Sequence, residues 1–456
     1  MYKVTGIDVK NNRYKVLDTY SSIESICTRE QLMQSRNMGF NVFGVLPDGQ
    51  IVIWNTFYKL SMLSGGSRKK LIEIIKGYGD NVVIFYEEDS FDTMKQKVME
   101  MDRASYIVFN FSNVTFMRSL FCGCRASGLD LSCFDTSKVA DMNGMFCKCK
   151  AKHIDLSGFD TSKVVSMGSM FRDCSAVSLD LSSFDTSNVM FMYSMFLNCK
   201  AESLDISSFN TSNVTDMHDM FNNYKADVLD LRGFDTSKVS DMSLMFANLG
   251  VKSLDISSFN TSRVESMNGM FYNCKTEALN LSSFDTSKVM NMCKMFNHCC
   301  AKELDLSSFN TSNVKNMSGM FCSCTASKID ISTFDTSNVL DMSLMFCECR
   351  EKHLNLKHFS TSRVTTMQKM FYCCDADTVD VSSFDTSNVT NMERMFNECS
   401  ADLLDVSNFD THKVVSMFRM FMGFKGRTIV LKKSQSVLIK KATDAGVGKS
   451  CKIIFS

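Results

Sequence analysis

From residue 126 to residue 425 the apolar positions of this chain recur every 25 residues without insertion or deletion, beginning with ASGLDLSCFDTSKVADMNGMFCKCK at 126–150. Aliphatic side chains stand at Leu129, Ile154, Leu179 and Leu204, and again two places on at Leu131, Leu156, Leu181 and Ile206. That alternation predicts a short strand with its apolar side turned inward. A Phe column follows at Phe134, Phe159 and Phe184, and then a nearly constant Asp-Thr-Ser run such as Asp135, Thr136 and Ser137. Val139, Met142, Met145, Phe146 and Cys149 come next at spacings of three and four, which predicts one face of a helical or 3₁₀ segment returning the chain. Strand, corner and return make one coil of an α/β repeat solenoid, and each coil leaves apolar faces uncovered until a neighbour stacks on it.

The rest of the chain is read against this period. Residues 1–60 form a small α+β module, with strands at YKVTGIDV, YKVLDTY, FNVFGVL and GQIVIW, a hairpin turn at Pro47-Asp48-Gly49 and a helix at SIESICTREQLMQS. A connecting α/β segment over 61–100 offers a helix at SRKKLIEIIKGYG and a strand at NVVIFYEED, with a second helix at FDTMKQKVMEMD. The 101–125 segment keeps the pattern in degraded form, through Phe109, Val114, Met117, Leu120, Phe121 and Cys124, as a first capping coil would. Twelve full repeats occupy 126–425, and 426–456 reads strand, helix, strand, a cap for the far end. With strands stacked about 4.8 Å apart, twelve coils predict a ribbon on the order of 55–60 Å long, a surface rather than a pocket.

Composition narrows the possibilities. A chain of 456 residues that is 45% hydrophobic can bury a large core, and 50 basic residues balance 50 acidic ones. No global field draws it to nucleic acid or to a lipid surface, so direct nucleic-acid binding is not favoured and no membrane partner is expected. The start, MYKVTGIDVKNNRYKV, lacks the apolar core of an export leader, which predicts a cytoplasmic protein. The 20 Cys are then expected to be reduced thiols, and the sequons at Asn113, Asn213 and Asn388 have no glycosylation role.

The coil L-D-L-S-x-F-D-T-S-x-V-x-x-M-x-x-M-F-x-x-C resembles the repeat of the BspA-type leucine-rich-repeat surface proteins, in the variety common in mycoplasma lipoproteins and lactobacillus surface proteins. The likeness covers about residues 101–425. It implies a leucine-rich-repeat-like fold, a strand-lined scaffold used for adhesion and protein binding, and no catalytic residues. The export and anchoring signals of that family are not apparent in the sequence, which sets the cell-surface adhesin role against the composition. The N-terminal module is similar to small domains fused to proteins of Firmicutes phages and mobile elements, which implies an alternative role: sequestering a host defence enzyme.

Several columns invite a chemical reading, and each has a plainer one. Cys124, Cys149, Cys174, Cys199, Cys274, Cys299, Cys324, Cys349, Cys374 and Cys399 share one position, but Tyr224, Leu249 and Phe424 fill it elsewhere, so Cys acts there as a small buried hydrophobe. Two C-x-C clusters, Cys122 and Cys124 beside Cys147 and Cys149, and Cys322 and Cys324 beside Cys347 and Cys349, lack the C-x₂-C spacing of a zinc knuckle. The Asp column (Asp130, Asp155, Asp180, Asp205, Asp230, Asp255) would suffer from stacked charge unless neighbours such as Ser132, Ser157 and Ser182 donate to it. The Asp-Thr-Ser run reads as caps for the return. Gly448-Lys449-Ser450 lacks the earlier Gly of a phosphate loop, Thr443 standing there, and the six His are scattered. Of the Met residues, 24 sit in two core columns. No catalytic, cofactor or metal site is predicted.

Function is then sought where the repeat varies. On the strand side those positions include Arg232, Lys328, His353, Lys357 and His358. On the return side Lys369, Arg394 and Arg419 stack in one column, and the terminal segment adds Arg427, Lys432, Lys433, Lys440, Lys441, Lys449 and Lys452. The expectation is a non-catalytic intracellular scaffold, an adaptor or inhibitor, that lays this face and its basic end against a larger protein or nucleoprotein partner.

Overall fold

The computed structural model describes the backbone of residues 2–8, 13–18, 23–28, 42–45, 51–54, 82–84, 91–100 and 106–108, and then residues 117–126, 128–131, 136–447 and 451–456. The turn at Pro47-Asp48-Gly49, the helix expected over 67–79, and Phe109, Val114, Phe134, Asp135 and Gly448-Lys449-Ser450 lie outside the described residues. The chain divides into two compact units, Met1–Asn188 with Cys199–Ser208, and Val189–Asn198 with Phe209–Ser456.

In the first unit, β1 (Tyr2–Asp8), β2 (Arg13–Asp18), β3 (Ile23–Thr28), β4 (Val42–Val45) and β5 (Ile51–Trp54) form one sheet in the order β3-β2-β1-β4-β5. Strand β3 falls where the Ile23 and Ile26 spacing predicts the start of a helix. It pairs antiparallel with β2 along its whole length, Asp18 opposite Ile23 through Arg13 opposite Thr28, and this pairing overrides a three-residue spacing carried by β-branched residues. A β-α-β segment follows: β6 (Val82–Ile84), α1 (Phe91–Met99) and β7 (Tyr106–Val108), the two strands parallel. The first coils then contribute β8 (Gly128–Asp130), β9 (His153–Asp155), β10 (Ser178–Asp180) and β11 (Ser203–Asp205), with β8 and β10 paired in register one repeat later, Leu129 on Ile154 and Leu179 on Leu204.

The second unit is built from the same kind of coil. Its strands are β12 (Glu303–Asp305), β13 (Lys328–Asp330), β14 (His353–Leu354), β15 (Thr378–Val379), β16 (Leu403–Asp405) and β17 (Thr428–Leu431), followed by α2 (Ser436–Asp444) and β18 (Lys452–Phe455). The last five strands make one parallel sheet in chain order, so the terminal strand, helix and strand extend the ladder itself.

The helical return predicted from the Met and Phe spacing does not form. Each return is a run of turns in which alternate amides take different partners. Met145 N–H donates to the Met142 carbonyl at 3.1 Å and Cys147 N–H to the Gly144 carbonyl at 2.9 Å, three residues back. Between them, Gly144 N–H reaches the Gly168 carbonyl at 2.8 Å and Phe146 N–H the Met170 carbonyl at 2.8 Å, both in the next coil. A helix is interrupted because two positions per coil are left-handed, as at Gly144 (φ 64°) and Lys148 (φ 57°), and this conformation cannot propagate as a right-handed helix. The result is a second parallel ladder of single pairings, such as Asp141 with Ser166 in the first unit and Asn291 with Asn316 in the second, and the coil is that of a β-solenoid.

The interior follows the sequence columns. Leu156, Phe159, Val164, Met167, Met170, Phe171, Cys174 and Ala176 are all buried, and the same positions are buried in later coils except at Val414 in the last. Phe rings stack coil upon coil: Phe121 on Phe146 at 5.4 Å between centroids, and in the second unit Phe371 on Phe396 at 5.4 Å, nearly parallel in both cases. Each fully buried large apolar side chain is worth about 1.5–3 kcal/mol, and in a stack that gain is made only with a neighbour present.

The Thr of the Asp-Thr-Ser run has a role beyond the expected cap. Thr136 Oγ1 donates to the Asp160 carbonyl at 2.8 Å and accepts from Asp160 N–H at 2.8 Å. Thr386 repeats the arrangement with Asp410 at 2.8 and 2.7 Å. One buried hydroxyl thereby satisfies two backbone groups of the next coil, a role that an apolar side chain could not fill.

Candidate partner-binding surface

Once the buried columns and the Thr ladder are removed, the outward strand edge and the outer side of the return remain. On the strand edge the Asp column is self-satisfied. Ser182 donates its hydroxyl to Asp180 Oδ1 at 2.6 Å and its N–H at 3.1 Å, and Ser207 serves Asp205 in the same way at 2.7 and 3.1 Å. These bonds hold both carboxyls below the ordinary range, as the stacked charge required.

The strand-side candidates are distributed, and most already have partners. Arg232 is exposed but chelates its own Asp230, Nε to Oδ1 at 2.9 Å and Nη2 to Oδ2 at 2.6 Å, which pulls that carboxyl down to about 2. Lys328 is exposed on β13, paired across the ladder with Glu303. His353 is exposed, its Nδ1 3.5 Å from the Thr378 hydroxyl. Lys357 reaches toward Asp380 at 3.5 Å. His358 contacts the Ile331 carbonyl through Nε2 at 2.9 Å and meets Phe359 edge-on at 5.1 Å. Ser308, Thr333 and Ser383 contact the carbonyl of the corresponding residue, so His358 serves coil stacking. Lys328 and His353 share one column in consecutive coils, Lys357 and His358 follow in the coil of His353, and Arg232 stands in the Lys357 column five coils earlier.

The return-side candidates are gathered. Lys369, Arg394 and Arg419 occupy one column, and Lys369 N–H donates to the Glu393 carbonyl at 2.8 Å while Arg394 N–H donates to that of Phe418 at 2.9 Å, which keeps the coils in register there. All three are left-handed, with φ of 56°, 54° and 55°, at a position filled in other coils by Gly144, Gly269 and Gly319. A side chain with a Cβ costs roughly 1–2 kcal/mol in that conformation. The cations lie against aromatic rings. Arg419 sits 4.9 Å and Arg394 5.9 Å from the Phe418 ring centre, and Lys369 lies 5.8 Å from that of Tyr372. Acidic neighbours temper the charge in part: Glu393 is 3.7 Å from Arg394, and Glu398 is 3.6 Å from Lys425. Lys432 and Lys433 are exposed between β17 and α2.

Sequence reasoning missed the apolar component of this surface. Val415 is 89% exposed, Phe418 51% and Met422 46%, all in the last full coil beside Arg419. The available signal was Phe418 standing in a column that elsewhere holds Ser243, Asn268, Gln368 and Glu393, and Met422 standing outside the two core Met columns.

Among the described residues no group of three or more His, Cys, Asp or Glu could hold a metal ion, and no helix is long and apolar enough to cross a membrane. The buried Cys column packs in the core, since Cys174, Cys199 and Cys274 are as buried as the Tyr224 and Leu249 that replace them; burial pushes Cys324 up to about 11 and Cys349 up to about 12, whereas neighbouring thiols lower Cys124, Cys174 and Cys399.

A family described as mycoplasma proteins of unknown function, DUF285, matches the chain over residues 89–203, 179–278, 247–359 and 342–434. No curated protein and no solved structure matches it.

Proposed function

The chain belongs to the DUF285 family, and we propose that it is a non-catalytic scaffold that binds a larger protein or nucleoprotein partner through the return side of its last coils. The observation that carries this reading is the Lys369, Arg394 and Arg419 column with Phe418, Val415 and Met422 beside it. Coil stacking requires neither a cation at the left-handed position nor an exposed Phe next to it, since Gly, Ser and Leu occupy that position in other coils. Arginine and aromatic side chains dominate the energetics of protein interfaces, and exposed apolar side chains rimmed by charge mark such sites. The repeat architecture supports the same reading, because it multiplies an outward surface without creating a deep pocket.

The test is affinity purification of the tagged full-length chain from its native host, beside a variant carrying Lys369→Glu, Arg394→Glu and Arg419→Glu. A second control carries Lys328→Glu on the strand edge. The reading expects a stoichiometric partner with the native chain and with Lys328→Glu, and its loss with the triple variant. Retention of the partner by the triple variant would refute it.

A further inference from the structure

Cysteine recurs in two columns of the coil, apart from single residues at Cys133, Cys293, Cys300 and Cys373. The first, from Cys124 to Cys399, is buried, and its other occupants are apolar or aromatic. The second, the position of Cys147, lies two residues earlier and is mostly part-exposed, with Arg172, Asn222, Tyr272, Asn297 and Tyr372 among its other occupants. Leu197, Ala247 and Met422 stand there as well, so this position accepts polar, aromatic and apolar groups alike. Its Cys residues come as neighbours in consecutive coils, Cys122 with Cys147 and Cys322 with Cys347.

The register holds each pair together. Phe321 N–H donates to the Met345 carbonyl at 2.9 Å and Ser323 N–H to the Cys347 carbonyl at 2.7 Å, bracketing the later pair. The Cys322 Sγ lies 3.8 Å from the Ser323 hydroxyl. Parallel neighbours in register lie about 4.8 Å apart, inside the roughly 4.4–6.8 Å that separates the α carbons of a disulfide. The two sulfurs also differ in environment: Cys322 is part-exposed, whereas Cys347 is buried.

We propose that Cys322 and Cys347 form a peroxide-reactive dithiol that closes reversibly into a disulfide between consecutive coils. Cys322 is the attacking group. Interaction with the Cys347 thiol, with Ser323 and Asn297 beside it, outweighs burial and the nearby Glu348 and lowers the Cys322 thiol to about 7, while the same interaction pushes Cys347 up. The Cys322 thiolate attacks a hydroperoxide oxygen; the S–O bond forms, the O–O bond breaks, and the departing oxygen leaves as water after taking a proton. The Cys347 sulfur then attacks the resulting sulfenic acid, the S–S bond forms, and the hydroxyl leaves as a second water carrying the Cys347 proton. Two thiols lose two electrons and one hydrogen peroxide gains them. Cys122 and Cys147 provide an internal comparison, since both are part-exposed, unlike the buried Cys347, and burial raises Cys147 to about 11.

The experiment treats the reduced full-length protein with hydrogen peroxide, blocks remaining thiols by alkylation and digests it without reduction after Lys and Arg. Peptides 316–328 and 329–350 should appear joined, about 2 Da lighter than their reduced sum, with fragment ions placing the bond at 322–347 and dithiothreitol separating them. Cys347→Ser should leave Cys322 as a sulfenic acid that dimedone traps, and Cys322→Ser should abolish both products. Alkylation of Cys322 and Cys347 to the same extent as the unoxidised protein overturns the proposal. So does a bond at Cys324 and Cys349 instead, or closure of Cys122 and Cys147 at least as fast.

Discussion

The interior of the coils and the return side of the last three are built on the same 25-residue period but obey different constraints. In the interior the position of Cys149 accepts Tyr224, Leu249 or Phe424 and stays buried in each case, so the fold dictates an apolar group and little else. Five residues earlier, the position of Gly144 accepts Ser169, Asp219, Leu244, Lys294 and Arg394, all left-handed. There the fold dictates the backbone and leaves the side chain open. Three successive cations at such a position, with exposed Phe418 beside two of them, are therefore not dictated by the fold, as a buried Phe is.

This contrast yields graded expectations. The largest effect should come from Phe271→Ala, because that ring is fully buried between Phe246 at 5.8 Å and Phe296 at 5.6 Å. A loss of about 3–5 kcal/mol is expected in chemical denaturation, and a loss below about 1 kcal/mol would contradict the interior account. Thr286→Val keeps the shape but removes the hydroxyl that donates to the Asn310 carbonyl at 2.9 Å. Denaturation should show a loss of about 1–3 kcal/mol, the cost of a buried group without its partner. An unchanged midpoint would mean that Thr is retained for shape alone.

The smallest stability effect should belong to Arg419→Gly. Relief of the left-handed backbone, roughly 1–2 kcal/mol, is offset by the lost cation–π contact, about 0.5–1 kcal/mol at an exposed site. Stability should remain within about 1 kcal/mol of the native chain while partner capture falls. Equal losses of stability and capture would show that this column serves the fold after all.

These differences also explain what was legible in the sequence. The repeat and the buried columns could be read because each position is repeated many times, and a substitution such as Tyr224 for Cys exposes the constraint directly. The return was misread because Met142, Met145 and Phe146 share the spacing of a helix face, while the left-handed residues that break the helix are mostly Ser, Asn, Lys or Asp, which carry no strong signal. Strand β3 was misread for a related reason: over six residues, pairing with β2 decides more than local spacing. At the surface, the basic column was visible as charge in register. The contributions of Val415, Phe418 and Met422 depend on exposure, which periodicity assigns poorly at a terminal coil where no further full repeat follows. Conversely, His358 looked free as a variable outward residue, and only the Ile331 carbonyl beside it shows its structural use.

The most direct measurement is hydrogen–deuterium exchange on the full chain, alone and bound to the partner captured from its host. The account predicts that protection gained on binding concentrates at 365–372, 390–397 and 415–422, the segments carrying the cations and their aromatic neighbours. Protection centred instead on the strand edge around Lys328, His353 and Lys357, with those three segments unchanged, would contradict it.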